Sequence, residues 1–349
     1  MSAIDKMGRL SARISQDQRV VGILFLAQIG ASAGVFAISP LTPFIQEDLG
    51  LSRAQVGFFV SALFLGAMLA AFPAGRMVDR FSPRPLILAG LLVLGTFLMA
   101  AALAESVPLM LVLLALAGTG QGLSSPALTT AASLWVSPVI RGTAMGIKQS
   151  GVPGGAALSA AILPTVALMT TWRFSLLGTG LAIIAASLVT NWLLRHYVQR
   201  DRTAKPKAGS AHTLRAHVWR KDILLIIGSQ VCLLFAQFAF VAYFVLFLTE
   251  TLLFAVVVAG LCLSLAQATA WMGRIGWGVL SDRVLGGNRR ISYAIMALLA
   301  AVFMFLISLT SIDTPVWVVV CVSIAFGLTG LSWGPTFLNC VTEMAGPAM

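Results

Sequence analysis

Gly75-Arg-Met-Val-Asp79-Arg80 reappears in this chain as Gly278-Val-Leu-Ser-Asp282-Arg283, 203 residues later. Both copies read Gly-x-x-x-Asp-Arg. Each closes a long apolar run, and each is followed by a short basic turn and a further apolar run. An internal repeat of this kind in an apolar chain marks two related halves of one membrane bundle. The repeat extends outward: Gly122-Leu-Ser-Ser-Pro126 is echoed by Gly330-Leu-Ser-Trp-Gly-Pro335. Pro138 is matched by Pro347, and on that offset the counterparts of Arg141 and Gly142 fall just past position 349.

Composition points the same way. Hydrophobic residues make up 58% of the chain and charged residues 10%, against about 25% charged in soluble domains. A helix needs about 20 apolar residues to cross a bilayer. Ten such spans are expected, near 20–44, 55–75, 85–104, 107–134, 142–169, 173–195, 223–248, 253–280, 291–310 and 315–342. Residues 1–19 are polar and the first apolar run is too long for a signal core, so no cleavable signal is expected. The expected class is an all-α polytopic membrane protein.

The net charge of +11 follows the positive-inside rule rather than a nucleic-acid footprint. With the N-terminus in the cytoplasm, all of the 23 basic residues except Arg53, Lys148 and Arg173 fall at or near the inner face. The outer turns carry Glu47, Asp48, Glu105, Glu250 and Asp313. The expected setting is the cytoplasmic (inner) membrane, multi-pass, with a cytoplasmic N-terminus and no nucleic-acid partner. Residues 196–222 are the one long polar segment. They divide the chain into an N-terminal six-helix half (1–195), a basic cytoplasmic linker (196–222) and a C-terminal half (223–349).

Chemistry that would signal an enzyme is missing from the sequence. No nucleophile–base pair, P-loop or metal-ligand spacing occurs in a polar segment. His196, His212 and His217 all lie in the linker. Cys232, Cys262, Cys321 and Cys340 lie in or beside spans and read as packing residues. No cofactor and no metal are expected.

The duplicated Gly-x-x-x-Asp-Arg motif resembles the turns between spans 2–3 and 8–9 of the major facilitator superfamily (MFS) of secondary transporters, and the resemblance covers essentially the whole chain. Members usually continue the motif with x-Gly-Arg-[Arg/Lys]. Here Arg80 is followed by Phe81-Ser82-Pro83-Arg84, and Val-Leu-Gly-Gly-Asn precedes Arg289-Arg290. The resemblance implies a two-half helix bundle of twelve spans, so ten of an expected twelve are accounted for and the C-terminal half stops after four. Gly142 to Gly155, with Gly146, Gly151, Pro153 and Gly154, resembles the glycine- and proline-rich fifth helix of many members. In antiporters two residues separate the proline from the glycine pair; none does here, so antiport is not inferred.

The resemblance further implies a gating motif formed by Gly75, Asp79, Arg80, Gly278, Asp282 and Arg283. Asp282 would latch onto the start of span 5, and Asp79 onto the start of a span 11 beyond position 349. A carboxylate at a helix end is suited to such a latch, because it pairs with guanidinium groups and with positive helix N-termini. The resemblance also implies that spans 1, 4, 7 and 10, aided by 2, 5, 8 and 11, line a central cavity. The polar candidates there are Gln28, Gln121, Lys148, Gln149, Gln237, Gln267, Arg274, Trp333 and Asn339. Polar side chains in hydrocarbon face protein or water. For the glutamines the plain alternative is interhelical hydrogen bonding, and for Lys148 and Arg274 it is snorkelling to the inner surface. A cation from each half suits an anion or carboxylate. The twelve acidic residues all lie in termini, turns or helix ends, which argues against a cationic substrate.

Three readings follow. The first is a transporter of a small solute, leaning to an organic anion, with a coupling ion such as a proton. The second is a broad-specificity efflux transporter of apolar compounds, and the third a non-transporting remnant or sensor. Oligomeric state is left open.

Overall fold

The computed structural model describes the backbone of residues 3–137, 140–195, 221–285, 288–337 and 340. Side chains are described for the same residues except 3–15, 79, 221–224, 282 and 289. The helices are α1 (Ala3–Val35), α2 (Ile38–Leu49), α3 (Arg53–Arg80), α4 (Pro83–Ala102), α5 (Val107–Trp135), α6 (Arg141–Met169), α7 (Trp172–Leu194), α8 (Lys221–Glu250), α9 (Val256–Arg283), α10 (Arg289–Ser308) and α11 (Val316–Gly330). Among the described residues, ten segments are long and apolar enough to cross a membrane, from Gln16–Leu49 to Val316–Phe337. Each overlaps one of the ten expected spans. The expected linker 196–222 lies outside the described residues up to 220.

Two spans are broken, and proline explains both breaks. The first splits at Phe36–Ala37 into α1 and α2. Pro40 has no N–H to offer the Phe36 carbonyl four residues back, and its ring crowds that carbonyl. The tenth leaves helix at Leu331–Trp333 and resumes over 334–337. Pro335 stands four residues after Leu331, so the same two effects act there.

Helix starts are set locally. Ser52 forms a capping box with Gln55 at the head of α3, which satisfies two orphan backbone donors. Thr171 accepts from Phe174 N and Asn288 from Ile291 N, capping α7 and α10. Gly50 closes α2 at φ +61°, a left-handed conformation that glycine adopts without penalty.

The chain forms two compact units, Met1–Pro206 and Lys207–Met349. In the first, α3 and α4 pack on α5, α4 also packs on α7, and α1 packs on α6. Its core includes Leu24, Leu91, Leu94, Leu98, Met110, Leu114 and Leu128, all fully buried. In the second, α9 and α10 pack on α11. Phe240 of α8 stands 4.4 Å from Phe326 of α11 between ring centroids.

The seams of the two units correspond. A Cβ on Gly118 of α5 would collide with the carbonyl oxygen of Leu63 on α3. A Cβ on Gly327 of α11 would collide with that of Ala266 on α9. Gly327 lies 209 residues after Gly118, and Ala266 lies 203 after Leu63. Helices in lipid associate by close backbone approach at small residues, and both units place a glycine at the equivalent crossing.

One helix junction, between the end of α2 and the start of α7, is tied electrostatically. Asp48 at the end of α2 pairs with Arg173 at the start of α7. The Trp172 indole N–H donates to the same carboxylate at 3.1 Å. Arg173 also lies 4.4 Å from the Trp172 ring centroid. This basic residue, one of the three that escape the inner-face pattern, therefore has its charge matched by a neighbouring acid.

Candidate functional site

Lys148 sits on α6, seven residues past Arg141 and so roughly 10 Å along the helix at about 1.5 Å per residue. It is 3% exposed. Its Nζ donates to Thr129 Oγ1 of α5 at 2.9 Å and to Gln149 Oε1 at 3.2 Å. Among the described residues its hydrogen-bond partners are thus neutral oxygens. Thr129 Oγ1 also donates back to the Ser125 carbonyl at 3.0 Å, which fixes the acceptor for the ammonium. The side chain runs across to α5, not outward along the helix as snorkelling would require. A buried cation held only by neutral dipoles is under-compensated, because transfer of a charge out of water is expensive without a counter-charge.

The other candidates of the first unit are placed separately. Gln28 of α1 is 2% exposed, and its Nε2 donates to Ser32 Oγ at 3.1 Å. Its Oε1 is buried without a hydrogen-bond partner among the described residues, as is Gln121 Oε1 on α5. Gln28 packs on Gly151 of α6, where an added Cβ would stand 3.0 Å from its side chain. No described hydrogen bond joins Gln28 or Gln121 to Lys148.

In the second unit the structure joins Gln237 of α8 to Trp333, whose indole N–H donates to Gln237 Oε1 at 2.7 Å. The break in span 10 presents Trp333 for this bond. Trp333 meets Phe337 edge to face at 6.2 Å, and Phe337 lies 6.1 Å from Tyr293 of α10. Tyr293 donates to Gln230 Oε1 of α8 at 2.9 Å. Gln267 of α9 is 5% exposed and Arg274 is half-buried. Asn339 lies outside the described residues.

Of the motif residues, Arg80 and Arg283 are exposed at the ends of α3 and α9. The side chains of Asp79 and Asp282 are outside those described. A Cβ on Gly75 or Gly278 would meet nothing within 4 Å, so packing in the immediate surroundings does not require these glycines.

Two participants, Thr129 and Tyr293, carry little signal in the sequence. Thr129 is one of many in-span hydroxyls, most of which bond a carbonyl of their own helix. Tyr293 is one of only three tyrosines in the chain, and that rarity in an apolar helix was the available signal.

The arrangement is that of a polytopic helical membrane protein with isolated polar groups held inside two repeat-related units. Residues 24–349 match the sequence model of the Major Facilitator Superfamily, and the chain belongs to that family. It is 29% identical over 224 residues to the hexuronate transporter of Bacillus subtilis, covering 64% of this chain and 52% of that protein. It is 25% identical over 340 residues to a probable sulfoacetate transporter of Cupriavidus necator, covering 91% of this chain and 78% of the relative. The chain thus spans about half the length of the first relative and more of the second. Among solved structures it resembles a bacterial homologue of the human lysosomal transporter Spinster. There the TM-score is 0.71 at 17% identity, over 94% of this chain and 78% of that one. That likeness concerns the fold.

Proposed function

We propose that this protein is a secondary transporter of a small organic anion, working by alternating access between its two halves. The observation that carries the reading is Lys148, a buried ammonium with two neutral partners. A substrate carboxylate would supply the missing counter-charge through a charge-assisted hydrogen bond. Hexuronate and sulfoacetate, the solutes named for two relatives, are both organic anions. No acidic residue lies deep in a span, so a coupled proton would travel on the substrate's own carboxylate or on Lys148.

The setting proposed with it is the inner membrane, with a cytoplasmic N-terminus and residues 196–222 linking the halves on the inner side. The Gly-x-x-x-Asp-Arg turns serve as inner-face latches in this scheme. The distribution of basic residues supports that orientation.

Tracer counterflow in proteoliposomes tests the proposal. Hexuronate or sulfoacetate loaded inside should drive uptake of the same labelled anion, and a neutral sugar such as xylose should not. Counterflow of the sugar with none of either anion would overturn the anionic reading. An absence of counterflow with every solute would favour a non-transporting role.

A further inference from the structure

We infer that the groove between α1, α6 and α7 is a binding site for an anionic phospholipid. The groove has a volume of about 620 Å³ and is lined only by residues of the first unit. It follows α7 from Phe174 to Leu193, about 28 Å at 1.5 Å per residue, close to the thickness of a bilayer's hydrocarbon. Leu26, Ile162, Phe174 and Val189 line it and are each at least half exposed.

Three of the four hydroxyl side chains that line it, those of Ser159, Ser175 and Thr179, donate within the protein. Ser159 Oγ donates to the Ala33 carbonyl at 2.8 Å. Ser175 Oγ donates to the Leu163 carbonyl at 3.3 Å. Thr179 Oγ1 donates to the Ser175 carbonyl at 2.8 Å. These three hydroxyls have no proton left to donate to a polar solute, whereas an acyl chain needs no partner.

Charge selects the headgroup. At the end marked by Ile23 and Leu193, Arg19 and Arg195 are both exposed. Arg19 is one helical turn before Ile23 and on the same face of α1. Long basic side chains lay their stems on apolar surface and lift their charge to the interface. Basic groups beside a gap between membrane helices attract anionic headgroups. The opposite end has no such excess, because Arg173 is paired with Asp48. The occupant is therefore a phospholipid with its phosphate at Arg19 and Arg195 and its chains along α7. This inference rests on the membrane reading and not on which solute is carried.

Native mass spectrometry of the detergent-purified protein, titrated with phosphatidylglycerol or phosphatidylcholine, tests it. The wild type should retain phosphatidylglycerol in preference. Arg19→Gln/Arg195→Gln should weaken that binding about fivefold per arginine removed and leave phosphatidylcholine unchanged. Ala182→Phe, at an exposed groove position, should remove one bound lipid of either kind. Equal phosphatidylglycerol retention by the double arginine variant would overturn the inference. So would an undiminished lipid count in Ala182→Phe, or loss of a dimer in that variant, which would make a second copy of the chain the occupant.

Discussion

The α3–α5 seam of the first unit and the α9–α11 seam of the second are two answers to one packing problem. Gly118 and Gly327 occupy the equivalent crossing, each against a backbone carbonyl. One turn away the solutions diverge. The first unit has Gly66, where a Cβ would strike the Ala115 carbonyl. The second has Thr269, 203 positions later, whose hydroxyl donates to the Ile324 carbonyl at 3.2 Å. Ile324 lies 209 after Ala115. One unit closes the gap with backbone contact, and the other bridges it with a hydrogen bond. The second unit adds two more such bridges, Trp277 Nε1 to the Leu328 carbonyl at 2.7 Å and Ser332 Oγ to the Ala270 carbonyl at 3.0 Å. Shared ancestry of the halves therefore shows in geometry where residue identity has been lost.

This contrast can be broken by exchange. Gly66→Thr places the second unit's residue in the tighter seam. It should be the most damaging change, about 3 kcal/mol or more by overpacking, read as loss of monodisperse protein or a lower detergent melting temperature. Gly118→Ala and Gly327→Ala should each lose about 1–3 kcal/mol, and similar losses at both would sharpen the equivalence. Trp277→Phe removes one interhelical bond and should lower stability by about 1 kcal/mol. Thr269→Ala should have the smallest effect, about 0.6 kcal/mol, because its hydroxyl also bonds the Leu265 carbonyl of its own helix at 2.9 Å. A Thr269→Ala loss exceeding that of Gly66→Thr would refute the comparison.

Span positions were legible in the sequence because a bilayer demands long uninterrupted apolar runs. The two breaks were legible only in hindsight. Pro40 and Pro335 lie in such runs beside Pro73, Pro126, Pro153 and Pro164, and those four sit inside continuous helices. Proline alone does not say which helix will part. The repeat announced itself through Gly-x-x-x-Asp-Arg, but the Gly118–Gly327 match did not, since glycines are common in spans and the neighbouring positions have diverged. Lys148 stood out because a cation within a span is rare. Its partner Thr129 did not, because a hydroxyl that bonds its own helix looks the same in sequence as one that also accepts across a seam. Gln237 and Trp333 are both polar in-span cavity candidates by sequence. That they bond each other follows from the break at 331–333, which no periodicity indicated.

The central claim is that Lys148 is retained for an anion and not for stability. The direct measurement pairs tracer counterflow of a carboxylate in proteoliposomes with detergent melting of the same preparations, for the wild type and Lys148→Met. The account predicts a melting temperature equal to or above the wild type's, since an apolar residue replaces an under-compensated charge. It predicts carboxylate counterflow reduced by at least about thirtyfold, corresponding to about 2 kcal/mol or more for a lost buried charge contact. A variant that melts lower and still exchanges the anion at the wild-type rate would contradict it.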